Sequence, residues 1–267
     1  MTFDKLSTME IRDFALTVVQ TEDMDLKLKP PAGELTDEAP GPAIRLEEPG
    51  RPAELRFSRR IGVPPVEGMP DPAQRPRILH ALANHELQAA ELFAWALLAF
   101  PDAPSEFRRG LLRILQDEQR HTRMYLARLE AYGARFGEWP VNGYFWSKVQ
   151  DITTPLRFLC AMSLTFENAN LDHTEEYAEA ALKAGDPKTA AVIEQVQRDE
   201  IEHVRFGWEW LQVFKPEDAS AWDAFRANLT WPLRPAKAKG GRTFNREGRA
   251  AAGLDAEFIR RLEESEL

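Results

Sequence analysis

Two Glu-x-x-His tetrads stand in the sequence, Glu118 with His121 and Glu200 with His203, and each follows a lone glutamate by nearly the same interval. Glu86 precedes Glu118 by 32 residues and Glu167 precedes Glu200 by 33. On a helix, positions i and i+3 share a face, so each tetrad sends one carboxylate and one imidazole in the same direction. Four carboxylates and two imidazoles drawn from four helices form a donor set for two metal ions. Oxygen with imidazole nitrogen suits iron or manganese, and the lone Cys160 leaves nothing for a multi-thiolate zinc site. Glutamate is common in this chain, so the tetrads alone carry little. Their order (Glu, tetrad, Glu, tetrad, one to a helix) is what sets them apart from ordinary intrahelical charge pairs.

Each tetrad is preceded by an aspartate, Asp117 and Asp199. A ligating imidazole usually donates its other N–H to a carboxylate or carbonyl, which fixes the tautomer. Asp117 and Asp199 are expected to do this for the histidine on the facing helix. In the first helix Glu91 competes with Glu86; five residues apart, they differ by about 140° around the axis and cannot both face one centre. The matched spacing selects Glu86. Glu167 lies between apolar neighbours, whereas Glu175, Glu176 and Glu179 fall in a polar run. His80, His85 and His173 read as helix-surface or hydrogen-bonded residues, and Phe93, Trp95, Phe206, Trp208 and Trp210 as plain core rather than the lining of a substrate pocket.

These residues need long helices to position them, and residues 76–229 supply helical apolar spacing with clear punctuation. The first helix runs to Phe100 before Pro101; the second starts near Ser105, with Asp102 or Ser105 as cap, and stops at Gly133. The third opens on Thr154 and Pro155 and ends at Gly185. The fourth reopens at once on Asp186 and Pro187 and ends before Pro216. Short connections make two antiparallel hairpins, and residues 134–153 are long enough to cross between them. The expected architecture is an all-α four-helix bundle with one long crossover. A fifth helix is expected over residues 217–229. A short helix over residues 8–20, with Ile11, Phe14, Ala15 and Val18 as its buried stripe, reads as an appendage, followed by a Pro- and Gly-rich surface arm. The domain division is therefore 1–75, 76–230 and 231–267. In the last part the basic run over 234–249 reads as a solvated tail, ahead of a stretch in which Leu254, Phe258 and Leu262 recur every four residues.

At 267 residues, with 43% hydrophobic and 29% charged residues, the composition is that of an ordinary soluble globular protein. A net charge of −9 argues against a protein built to grip phosphate backbones. The longest apolar stretch, residues 92–100, is too short to span a bilayer, and Asp4, Glu10, Arg12 and Asp13 interrupt the place where a signal peptide would run. A cytoplasmic protein is expected, with no membrane partner.

The chain resembles the ferritin-like superfamily and, within it, a bacterial family whose domain is of unknown function. The resemblance covers roughly residues 76–212. It runs through His80-Ala81-Leu82-Ala83-Asn84-His85-Glu86-Leu87, Ala90-Glu91-Leu92, Asp117-Glu118 with His121, residues 137–146, Glu167, Leu171-Asp172, Gly185-Asp186, and Asp199-Glu200 with His203 and Gly207; residues 244–253 also look similar. Some similar chains carry a His two positions before the first Glu, where this one has Asn84 and His85.

The resemblance implies two Fe ions, or an Mn/Fe pair. Glu118 and Glu200 would bridge them, Glu86 and Glu167 would be terminal ligands, and His121 and His203 would each bind one ion. The expected function is a non-haem di-iron oxidoreductase that activates O2 to oxidise a small-molecule substrate, with an external electron donor and a homodimer as further expectations. Three alternatives stand beside it: a rubrerythrin-like ferroxidase or peroxide scavenger, a tRNA hydroxylase supported only by the basic tail, and a metal-free helical scaffold. Fold resemblance does not choose among them.

Overall fold

The computed structural model describes residues 9–59 and 61–266, and it is all-helical: among these residues the only β pairing is two isolated bridges, Glu10 with Thr36 and Phe57 with Val141. In chain order come α1 (Ile11–Gln20), the single turn α2 (Met24–Lys27), α3 (Arg75–Ala99), α4 (Ser105–Ala131), α5 (Pro155–Ala161), α6 (Asn168–Lys183), α7 (Pro187–Phe214), α8 (Ala221–Ala227), α9 (Arg246–Ala251) and α10 (Ala256–Glu264). A π-helical segment, Met162–Glu167, joins α5 to α6 without a break, so that 155–183 form one rod.

α3 pairs with α4 and α6 with α7, and the two hairpins meet through α4 against α7. The turns follow the local chemistry. Thr154 and Asp186 accept hydrogen bonds from the amides of Arg157 and Thr189, with Pro155 and Pro187 at the first helical positions. Gly133 and Gly185 end α4 and α6 at φ of 74°, a conformation that a side chain would strain. The expected side-chain cap of α4 is absent: the residue before Ser105 is Pro104, which offers no acceptor side chain. α8 is shorter than expected, starting after the Ser220 cap, but Phe225 is buried beside Trp222 as its spacing required.

α3 is buried almost all round, because α4, α1 and the crossover each cover part of it. The crossover runs alongside α3 and is fastened to one stripe of its side chains. His80 accepts from the Gly137 amide, Asn84 donates to the Asn142 carbonyl, Gln88 accepts from the Phe145 amide, and Glu91 accepts from the Trp146 indole. Steps of four, four and three residues keep these four on one face, which leaves Glu86 turned to the bundle interior.

The described residues on both flanks of the bundle are more deeply built in than their composition suggests. Ile11, Phe14, Ala15, Val18 and Val19 of α1 pack into the same core as Phe93, Trp95 and Phe158, so α1 is a layer of the structure and no appendage. Lys27, on α2, reaches Glu91 at 3.1 Å, fully buried. The basic run over 234–249 is only partly solvated: Lys237, Arg242 and Arg246 are exposed, but Ala236 and Ala238 are buried, and Arg249 forms a fully buried ion pair with Asp172 at 2.6 Å. Leu254, Phe258 and Leu262 pack beside Phe225. Among the described residues no helix is long and apolar enough to cross a membrane.

Candidate metal centre

The six residues singled out by spacing converge. Glu86 comes from α3, Glu118 and His121 from α4, Glu167 from the last position of the π segment, and Glu200 and His203 from α7; each is 4% exposed or less. Nδ1 of His121 lies 3.5 Å from Glu86 and 3.4 Å from Glu118. Nδ1 of His203 lies 3.1 Å from Glu118, 3.5 Å from Glu200 and 3.9 Å from Glu167. Two overlapping groups can therefore each hold a metal ion, one of Glu86, Glu118 and His121 and one of Glu118, Glu167, Glu200 and His203. Glu118 belongs to both.

Local packing explains why the helices come this close. At Gly207 of α7 an added methyl would sit 2.3 Å from Cβ of Ser163, so the glycine lets α7 lie against the π segment that ends in Glu167. A π segment inside a rod is a frequent mark of a functional site, since it displaces side chains from ordinary helical register. Here the Thr165 hydroxyl donates to the Cys160 carbonyl at 2.6 Å, a bond across five residues that helps to hold the widened turn.

The histidines are oriented from behind. Nε2 of His121 lies 3.0 Å from Asp199 on α7, and Nε2 of His203 lies 3.3 Å from Asp117 on α4, so each ring is held by the helix that carries the other. Arg120 spans the two aspartates, at 2.6 Å from Asp117 and 2.9 Å from Asp199. With the proton on Nε2 and donated to the aspartate, Nδ1 presents its lone pair to the carboxylates.

Seven buried atoms of the cluster have no hydrogen-bond partner: both oxygens of Glu118, both of Glu167, Oε2 of Glu200, and Nδ1 of each histidine. Leaving such atoms unpaired costs about 1–3 kcal/mol each, more for charged groups. All seven are carboxylate oxygens or imidazole nitrogens, which divalent cations would satisfy, and the donor chemistry fits iron or manganese as well as other oxygen- and imidazole-binding metals. Glu200 differs from Glu118 in that its Oε1 accepts from Asn170 at 2.7 Å, leaving one oxygen free.

Electrostatics reflect the crowding. Burial holds Glu86 and Glu167 well above the usual carboxylate range, with the neighbouring Glu118 adding to the effect at Glu86. Burial likewise raises Glu200. Burial would raise Glu118 too, but His121 and His203 beside it outweigh this and hold it low. Both imidazoles are raised: burial opposes their charge, but Glu118 and Asp199 at His121, and Asp117 and Glu118 at His203, outweigh it.

Glu91 takes no part. It accepts from Arg51 at 2.7 Å, Lys27 at 3.1 Å and Trp146 at 3.0 Å, all buried, and so pins the N-terminal arm and the crossover to α3. Asn84 is held by Arg51 and the Asn142 carbonyl. His80 is hydrogen-bonded to the crossover, Phe93 and Trp95 are core, and Phe206, Trp208 and Trp210 pack half-buried against the core.

A cavity of about 500 Å3 opens against Glu86, Glu167 and Glu200. Its aromatic wall is Tyr144 and Phe145 from the crossover with Phe166 from the π segment, and the rings of Phe145 and Phe166 stack at 4.4 Å. His85 and His173 also line it. His85 is exposed to this cavity, and the protein packed around it, with His173 nearby, lowers its pKa to about 4. The signal was present only as a contact between residues 21 apart in the chain, which no local pattern carries.

A family model described as "Protein of unknown function (DUF455)" matches residues 11–260. No curated protein and no solved structure matches the chain.

Proposed function

The chain belongs to the DUF455 family, whose description assigns no function, and we propose that it is a dinuclear metal oxidoreductase of the ferritin-like kind, holding two Fe ions or an Mn/Fe pair and using O2 to oxidise a small molecule. The observation that carries this reading is the set of seven unpartnered atoms converging from α4, the π segment and α7 beside the buried Glu86 of α3. A scaffold without metal would bear their cost with no return.

Glu118, which belongs to both candidate groups, would help to hold both ions. Glu86 and His121 would complete one ion's protein ligands, and Glu167, His203 and Oε2 of Glu200 the other's. When bound, such a pair supplies the electrons and Lewis acidity that O2 chemistry needs. Asp199 and Asp117 keep the imidazole protons on Nε2 and so keep both Nδ1 atoms available. The buried walls exclude bulk water, and the cavity beside Glu86, Glu167 and Glu200 gives a substrate access to the same centre. That access supports oxidation of a substrate over simple iron storage. Electrons for repeated turnover would come from an external donor.

The test is the metal content of purified protein after anaerobic loading with ferrous iron, or with iron and manganese together. About two ions per chain are expected, falling to one or none in Glu118→Ala, with O2 uptake lost in the variant. Full metal content in Glu118→Ala would refute the assignment.

A further inference from the structure

The cavity has a chemical character of its own. Its wall is aromatic, its depth ends on three glutamates of the cluster, and its rim carries Lys237 and Lys239 from the C-terminal tail. The two lysines are not equivalent. Lys239 donates to the backbone carbonyls of Glu263 and Ser265, whereas Lys237 is exposed and its ammonium has no hydrogen bond or ion pair among the described residues.

The tail is fixed in this position. Gly240 packs so closely on α6 that an added Cβ would lie 2.1 Å from the Ala169 carbonyl oxygen, and its amide donates to Asp172 at 3.0 Å. Asp172 is in turn locked by the buried Arg249. The rim is therefore a built part of the fold, and Lys237 stands beside the opening at a defined place.

Charge settles what the cavity prefers. Four glutamates balance two divalent ions, so the loaded centre contributes no net charge from its carboxylates and metals, and the remaining full charges lining the cavity are the two ammonium groups. In this respect the inference rests on the dinuclear reading. A volume of about 500 Å3 falls within the range of small-molecule sites, about 300–1,000 Å3, and an aromatic wall in which Phe145 and Phe166 stack and Tyr144 stands edge-on to both favours an aromatic ring. A single unengaged ammonium suits a monoanion. The unbonded ring nitrogens of His85 and His173 can meet polar substituents on that ring.

We propose that the cavity binds an aromatic carboxylate, its ring against Tyr144, Phe145 and Phe166 and its carboxylate on Lys237, as the substrate or product of the adjoining centre.

Two probes with the same ring test this on the metal-loaded full chain: 2-naphthoate and the uncharged 2-naphthylmethanol, titrated by calorimetry. Naphthoate should bind at least about tenfold more tightly, and only its affinity should fall as salt is added. Lys237→Ala should erase the preference, weakening naphthoate about tenfold and leaving the alcohol unchanged; Tyr144→Ala should weaken both probes alike. Lys237 and Tyr144 are exposed, and unchanged melting and metal content in each variant verify that the fold is intact. Equal affinity for the two probes, a preference that survives Lys237→Ala, or no binding at millimolar concentration would overturn the proposal. The two readings separate cleanly. Two ions per chain without discrimination between the probes sinks the cavity assignment alone, and Lys237-dependent naphthoate binding by a chain that takes up no metal sinks the dinuclear centre alone.

Discussion

Asp199→Asn keeps the size of the side chain and removes the charge behind His121. In the native chain Oδ2 of Asp199 lies 3.0 Å from Nε2 of His121 and also receives Arg120 at 2.9 Å and Gln195 at 2.9 Å. The side chain is 18% exposed, so its negative charge acts on a ring that solvent does not reach. Burial alone would raise its pKa, but the bonds from His121 and Gln195 outweigh that and hold the carboxyl low, so it is ionised at neutral pH. Losing a charged acceptor behind a ligating imidazole costs metal affinity by about 10–100-fold, or about 1.4–2.7 kcal/mol. Asp117 is 37% exposed and 3.3 Å from its histidine, so solvent screens it more and the bond is weaker. Asp117→Asn is therefore expected to cost about tenfold or less. The assay is competition with a chelator of known affinity, following metal per chain at equilibrium and checking the fold by circular dichroism. Wild-type affinity in Asp199→Asn, or a larger loss in Asp117→Asn, would refute the reasoning about which aspartate orients its ring more firmly.

Glu86→Gln and Glu91→Gln should separate completely: the first loses metal with little loss of stability, while the second keeps metal but loses about 3–5 kcal/mol in denaturant melts, because Lys27 and Arg51 are left buried without their partner. Metal loss in Glu91→Gln would show that the two glutamates are not divided as described. In the metal-free fold Glu86, Glu167 and Glu200 keep protons above 4.5, and His121 and His203 above 6.5, so the native state binds more protons than the unfolded chain and stability falls as pH rises through these raised values. Glu118 has the opposite sign, its contribution being complete above 4.5 and lost only in stronger acid. Metal displaces those protons, so the rise in Tm on loading should widen between about pH 5.5 and about pH 8, and a rise that narrows would contradict the linkage. Gly207→Ala places a methyl 2.3 Å from Cβ of Ser163; it is expected to cost about 1–3 kcal/mol and to lower metal content, and a native melt with full metal would show that α7 does not depend on that contact.

The tetrads, their lone glutamates and the aspartates behind them were legible because helical period alone decides which side chains share a face. The hairpins were legible because Pro155, Pro187, Gly133 and Gly185 act within a few residues of themselves. What stayed hidden depends on partners far away in the chain. Arg249 reads as one more basic residue until Asp172, 77 positions earlier, is packed against it. Nothing local marks Lys27 as buried, because its partner Glu91 lies far along the chain. The π segment has no marker in Met162-Ser163-Leu164-Thr165-Phe166-Glu167, where the apolar spacing fits an ordinary helix; the Thr165 hydroxyl and the close approach at Gly207 become visible only in three dimensions.

The exchange of supports between α4 and α7 has a mechanical result. The helix presenting one imidazole also carries the brace of the other, so an ion seated in either half would tighten the frame that shapes its neighbour. On the proposed function, uptake at the two halves is then a joint event, with loading curves steeper than independent sites would give and few chains holding a single ion at partial saturation.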